Sequence, residues 1–287
     1  MNEILKKQND NEHIKLLRAS ASAYKSAKSG EISVTYSLLF LSIAYPVAYI
    51  FIKDETTKLI LFGGSFSITV FVLLFSGVFK GNTSKGALFK EEFDTSLFDL
   101  PWKSTLKRPD HSEVSHYSNL YKGNAIIDWY SPNLSQAIPN NIAITVLQHS
   151  NTSWDIQLRK TYRKWLIYLL VAYSAFLAIL IVVKGVHPLT VFLLLFSLLS
   201  FYSHFATLIR GHSAAIDKRE AISKHLDEII QNKRYISIDE LRDVQDEIYV
   251  TRQESAKVPN FFFEWYKEQM NNDSEDYIKS VNAIYGG

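Results

Sequence analysis

The sequence predicts an all-α membrane protein: two transmembrane helical hairpins, four spans in all, with a mainly helical cytosolic domain built from the middle segment and the C-terminal tail. Three observations carry this. Ile32–Ile52, Leu59–Phe79, Trp165–Val183 and Leu189–Ile209 contain no Asp, Glu, Lys or Arg. As helices they are each about 30 Å long, the hydrocarbon thickness of a bilayer. The linkers Lys53–Lys58 and Lys184–Pro188 leave room only for turns, so the stretches pair as antiparallel hairpins. Finally, fourteen Lys and Arg lie within 15 residues of the outer span ends, against three (Lys53, Lys58, Lys184) in the turns. By the positive-inside rule both termini and the middle segment are cytoplasmic.

In chain order, residues 1–31 form a polar cytosolic N-terminal helix with no signal-peptide core, so the first span is expected to act as an uncleaved anchor. Hairpin 1 covers 32–79. Its second span carries Ser65, Thr69 and Ser76 beside Gly63 and Gly64. The cytosolic insert, 80–164, opens with Glu91, Glu92, Asp94 and Asp99, which read as a solvated acidic surface. Pro101 argues against an unbroken helix near it. Lys103–Ser118 has turn character, with Pro109-Asp110 in a loop; helix is favoured over Tyr117–Tyr130 and stopped by Ser131-Pro132-Asn133, and helix resumes at about Asn140.

That last helix is the most informative soluble element. Gln148, Asn151, Asp155, Arg159 and Tyr162 fall within about 60° of one another, beside an apolar stripe of Leu147, Trp154, Leu158 and Trp165. The polar row runs directly into the third span. It is either a ligand-holding row or an intramolecular network in which Asp155 pairs with Arg159 at i, i+4. Lys160, Arg163 and Lys164 suit anionic lipid headgroups.

Hairpin 2 covers 165–209. Ser197, Ser200, His204 and Thr207 draw one polar stripe down its otherwise Leu- and Phe-rich last span, marking a helix contact or a watery path. The tail, 210–287, is helical over Ala214–Gln231 and again after the capping box Ser237/Glu240. Pro259 ends or bends that second helix before Phe261, Phe262, Phe263, Trp265 and Tyr266, which suit core or membrane-surface packing. Gln245, Tyr249 and Arg252 share one face of the tail helix, either as a salt-linked packing or as one side of a groove against the insert.

The chain has no cysteine, no Gly-rich phosphate loop, no HExxH and no GxSxG. The pair His111/His116 has no convincing metal-ligand partners. No catalytic residue and no metal site is assigned, and an enzyme is not expected. The spans hold no acidic or basic residue, which weighs against an ion-coupled pump but not against a passive pore.

The runs Phe93-Asp94-Thr95 with Leu97-Phe98-Asp99-Leu100-Pro101-Trp102, Asp128-Trp129-Tyr130, the Gln148 to Tyr162 row, and Leu241-Arg242-Asp243-Val244-Gln245-Asp246-Glu247-Ile248-Tyr249 with Arg252 and Val258-Pro259 are together similar to the four-transmembrane pore-forming effectors associated with SMODS nucleotidyltransferases. The resemblance covers essentially the whole chain. It implies a bacterial inner-membrane effector of anti-phage defence, a cyclic di- or trinucleotide made by a linked nucleotidyltransferase as activating ligand, homo-oligomerisation, and permeabilisation of the membrane leading to abortive infection. It implies no DNA or RNA partner and no cofactor. A cyclic nucleotide needs cations and amides for its phosphates and aromatic faces for its bases. Gln148, Asn151, Asp155, Arg159, Tyr162, Trp129, Tyr130, Arg242, Gln245 and Arg252 are the ligand candidates; Ser65, Thr69, Ser76, Ser197, Ser200, His204 and Thr207 are the pore-lining candidates. The alternative is a non-conducting membrane scaffold or sensor that recruits a cytosolic partner.

Overall fold

A computed structural model describes residues 3–75, 80–254 and 256–286. The described residues form helices and no strand: α1 (Glu3–Lys6) with a short turn at Lys7–Asn9, α2 (Asn11–Phe51), α3 (Glu55–Phe75), α4 (Lys80–Leu97), α5 (His111–Asn119), α6 (Asn140–Lys184), α7 (Pro188–Ser197), α8 (Leu199–Gln231), α9 (Ile238–Glu254) and α10 (Asn260–Ile284). By length and composition α2 and α6 can cross a membrane, and the bent pair α7–α8 adds a third candidate if it forms one span.

Three helices are far longer than a bilayer is thick. At 45 residues α6 reaches about 67 Å; neither Gly nor Pro interrupts it. It stops where Gly185 takes a left-handed φ of 56°. There the Gly185 N–H donates to Val182 O and the Val186 N–H to Ile181 O, the double bond pattern of a glycine C-cap. Pro188 then sits at the start of α7, where its missing N–H costs nothing.

α2 tolerates an internal proline for a different reason. Pro46 leaves the Ser42 carbonyl without its helical donor, and the Tyr173 hydroxyl of α6 donates to that carbonyl at 2.6 Å. The turn into α3 is set by Asp54, whose carboxylate accepts from the Thr57 N–H at 2.8 Å and from its hydroxyl.

The last apolar stretch is not one straight rod. α7 and α8 meet at 46° about Leu198. No proline lies at the bend; the Ser197 hydroxyl donates to Leu194 O and competes with the backbone there, a recognised cause of helix bending.

Two apolar cores result. One joins α2, α4, α6, α8 and α9 through Leu17, Phe93, Leu147, Leu226, Leu241 and Ile248. The other, around Leu38, Tyr162, Tyr173, Phe201, Phe205 and Phe262, lies at the apolar end. Beyond it, large hydrophobics such as Phe40, Phe71, Val182 and Phe192 face outward, the surface a membrane protein gives to lipid.

Two expectations for the insert are corrected. Helix α5 occupies His111–Asn119, inside the segment read as turn, because Pro109-Asp110 acts as a helix start rather than a loop. Helix does not continue over Tyr117–Tyr130: α5 ends at Asn119, Gly123-Asn124 keeps it from resuming, Asp128 adopts a left-handed φ of 48°, and residues 120–139 are an irregular strap. The acidic residues of α4 are also not all solvated. Glu91 and Asp94 are fully buried (0% exposed), because Phe89, Phe93 and Leu97 drive that face of α4 into the core and arginines of α9 meet the carboxylates there.

Candidate functional site

Between the two cores lies a polar layer, and in it a cavity of about 1190 Å³, above the usual ~300–1,000 Å³ of a small-molecule site. Its walls come from α2 (Leu17 to Ser29), Lys90 of α4, the strap Leu120–Pro132, α6 (Leu147 to Arg159), Arg219 of α8, α9 (Ile248 to Arg252) and the segment from Lys257 to Ile278. Every long helix that continues into an apolar stretch, α2, α6 and α8, contributes to this wall.

The lining is strongly cationic. Among the described residues nine Lys and Arg side chains face four carboxylates (Asp128, Asp155, Glu264, Glu275). Lys25, Lys122 and Lys267 are exposed at the rim; Lys28, Lys90, Arg159, Arg219, Arg252 and Lys257 are wholly or largely buried. Burial pushes Lys90 and Lys257 down to about 7, and Lys28 to about 8. Such groups hold their charge against a desolvation cost that an anion in the cavity would offset.

Two carboxylates organise the cations. Asp155 Oδ2 lies 2.7 Å from Arg159 Nε and 2.6 Å from Arg219 Nε. Burial opposes its charge, but Arg159 and Arg219 hold it well below the usual carboxylate range. Arg159 Nη1 also donates to Ala256 O at 2.7 Å and to His212 Nδ1 at 3.2 Å. Burial and the Arg159 charge push His212 down to about 3, so it is a neutral acceptor. Asp94 is the second hub: Tyr130 donates to it at 2.8 Å, Arg252 Nη2 lies at 2.7 Å and Lys90 Nζ at 3.5 Å. Despite burial, Lys90 and Arg252 hold Asp94 below its ordinary value.

Several lining donors are unspent. Lys90 Nζ, Arg252 Nη1, Ser22 Oγ and Ser150 Oγ are buried with no hydrogen-bond partner among the described residues. Buried donors are ordinarily paired, so each of these groups has capacity for an acceptor placed in the cavity.

Of the ligand candidates, Asn151, Asp155, Arg159, Trp129, Tyr130 and Arg252 line the cavity. Gln148, Tyr162, Arg242 and Gln245 do not. Gln148 donates to Leu241 O and to Gln245 Oε1; Gln245 donates to Glu91; Arg242 binds Glu91 and Asp246, so these three clamp α9 to α4 and α6. Tyr162 packs edge-on against His212 and Phe262. Sequence reasoning missed Lys28, Lys90, Arg219 and Lys257 as lining groups. Lys28, Lys90 and Arg219 are three of the fourteen cations that flank the spans, and no local pattern assembles them.

Of the pore-lining candidates, Ser65, Ser197 and Ser200 surround a niche of about 10 Å³ between α2, α3 and the α7–α8 bend, with Tyr45. His204 Nε2 meets Thr35 Oγ1 at 2.9 Å, and Thr207 donates to Ser203 O. Ser76 and the side chain of Thr69 lie outside the described residues. Within the aromatic cluster, Phe262 is buried and Phe263 packs on Trp154 at 5.1 Å. Phe261 and Trp265 are exposed, and Trp165 Nε1 reaches the Tyr266 hydroxyl at 3.3 Å.

Comparison with known proteins gives two matches. The sequence profile of the SMODS-associating 4TM effector domain matches residues 2–281. A protein of Bacillus cereus (strain VD146) described as a probable CBASS effector molecule is 29% identical over 171 residues, 55% of this chain and 56% of that relative. The match thus spans about half the length of the curated relative. No solved structure matches the chain.

Proposed function

This chain belongs to the SMODS-associating 4TM effector family, and from that premise we propose that it is a ligand-responsive membrane effector of bacterial anti-phage defence whose cavity binds a cyclic di- or trinucleotide. One observation carries the reading: an open-mouthed cavity lined by an excess of cations, most of them buried, stands where α2, α6 and α8 pass from the polar body into the apolar stretches. Two or three phosphates are the natural occupant of such a site, since each forms charge-assisted hydrogen bonds with Lys and Arg. The chain acts by binding and conformational change, not by catalysis.

Occupancy at the junction changes the relative placement of three rods that run on into the bilayer. The ligand shifts a closed arrangement toward an open one only by its difference in affinity for the two; about 5.5 kcal/mol is needed to move the balance from 1:99 to 99:1. A few hydrogen-bonded phosphates present in one arrangement and not the other supply that. Four spans are too few for a wide channel, so copies assemble in the inner membrane, with both termini and the cavity on the cytosolic side. There the product of a linked nucleotidyltransferase reaches it, and permeabilisation stops the infected cell.

Dye release from liposomes containing the full chain, challenged with cyclic di- and trinucleotides, tests this. Release by one ring size is expected. Silence across the panel from folded, inserted protein refutes the pore and favours a non-conducting scaffold that recruits a partner.

A further inference from the structure

Trp129 is 46% exposed in the strap, and both of its chain neighbours are pinned to the N-terminal turn. On one side, Asn9 Nδ2 donates to Asp128 Oδ1 at 2.8 Å and the Asp128 N–H donates to Asn9 Oδ1 at 2.9 Å. On the other, the Tyr130 N–H donates to Gln8 Oε1 at 2.9 Å and Gln8 Nε2 donates to Tyr130 O at 3.1 Å. Two side-chain amides from the N-terminal turn thus clamp the residues flanking the indole. The clamp seats the buried Tyr130 in the core and at the same time fixes the backbone on both sides of the half-exposed indole.

Behind the indole is a charged partner. Lys90 Nζ sits 3.8 Å from the Trp129 ring centroid and 4.0 Å from that of Phe93. Its side chain is 6% exposed, and the ammonium makes no hydrogen bond; its ionic contact is Asp94 at 3.5 Å. Arg252, on the far side of Asp94 at 2.7 Å, also keeps Nη1 unpartnered. A half-exposed aromatic platform, an ammonium that faces one carboxylate at 3.5 Å, and a guanidinium nitrogen with no hydrogen-bond partner among the described residues therefore meet at one corner of the cavity. A flat π-system takes a nucleobase by stacking, and the two cations take a phosphate.

We propose that this corner is a nucleotide subsite in which Trp129 stacks one base of the ligand while Lys90 and Arg252 hold the adjoining phosphate. The assignment rests on the nucleotide reading of the cavity and goes beyond it in naming where one nucleotide unit lies and which residues grip each part. Asp94 balances one of the two charges of Lys90 and Arg252, and a phosphate at this corner shares both cations with it. Gln8 and Asn9 are positioning residues that hold the platform.

The test is binding of cyclic di- and trinucleotides to the full chain in detergent, for the parent, Trp129→Ala, Trp129→Phe, Lys90→Met and, at the opposite wall, Lys28→Met. Trp129→Ala is expected to weaken binding at least tenfold and Trp129→Phe only a few-fold, since stacking survives in a smaller ring. Lys90→Met is expected to weaken it at least tenfold, measured at a temperature where the variant is folded; it leaves Asp94 with Arg252 as its one remaining cation, so a lower melting temperature is expected as well. Binding by Trp129→Ala and Lys90→Met equal to the parent, with Lys28→Met impaired, overturns the subsite while leaving the cavity reading intact. If the folded parent binds no cyclic nucleotide, the cavity reading fails; adenosine monophosphate then decides the subsite alone, binding to the parent and not to Lys90→Met upholding it and no binding overturning it.

Discussion

Asp155→Asn separates a structural carboxylate from a ligand contact, because the two roles give opposite signs. Asp155 Oδ2 holds Arg159 at 2.7 Å and Arg219 at 2.6 Å, with its side chain 25% exposed. Breaking one partner of a buried ion pair costs about 3–5 kcal/mol. The isosteric amide keeps one acceptor oxygen and the site is partly wet, so the expected loss is about 2–4 kcal/mol, read as a lower melting temperature in detergent. The same change removes a negative charge from a cavity that we propose binds phosphate. For a phosphate about 8 Å away and an effective dielectric near 20, the removed repulsion is about 2 kcal/mol, or about thirtyfold tighter binding. Calorimetric titration with a cyclic nucleotide, at a temperature where the variant is folded, measures that second term. Lower stability with tighter binding is the expected pair. Weaker binding by a folded variant refutes the reasoning, and would place Asp155 on the ligand, accepting from a base amine.

Gln8→Ala removes both hydrogen bonds to the Tyr130 backbone and should lower stability by about 2 kcal/mol while weakening ligand binding through the loosened platform; an unchanged melting temperature counts against the clamp. Ligand binding should take up protons near neutral pH. Lys90, faced by Asp94 and Arg252, and Lys257, faced by Arg159, Glu31, Lys28 and Asp155, both titrate near 7 in the folded chain, against an ordinary 10.5. Affinity should therefore fall as pH rises from about 7 to 9, and calorimetry in two buffers of different ionisation enthalpy that shows no proton uptake at pH 8 refutes this. Without ligand the sign reverses. Between about 7 and 10.5 the unfolded chain binds more protons than the folded one, so these two lysines make stability rise with pH in that window. Ser200→Leu with His204→Leu should abolish dye release while leaving ligand binding intact; a variant that leaks like its parent removes the stripe from the pore.

Local pattern was enough for what depends on neighbours within a turn or on solvent partition. The absence of charge over four stretches, Gly185 and Pro188 at the second turn, the uninterrupted run from Asn140, and Ser237, which accepts from the Glu240 N–H at 3.1 Å, all act over a few residues. Where a choice turned on distant partners, pattern failed. The box at Ser237 is only half formed, because the Glu240 carboxylate pairs with Arg234 and does not turn back to its own helix. Glu91 and Asp94 read as surface because Arg242 and Arg252, which let them be buried, lie about 150 residues away.

The sequence by itself determined the helical class, the paired apolar hairpins and the division between polar and lipid-facing mass, since each follows from how residues partition between water and hydrocarbon. Tertiary structure decided which candidates share the cavity and added the cations that pattern did not single out. Lys28, Lys90, Arg219 and Lys257 stand on different segments, and each is an unremarkable cation in its own stretch. Only the packing of α2 on α4, of α8 on α6 and of α9 across α4, α6 and α8 brings them around one volume, where low dielectric and few lining carboxylates favour an anion. Packing likewise decides that Pro46 is tolerated, because Tyr173 supplies from another helix the hydrogen bond that the proline withholds.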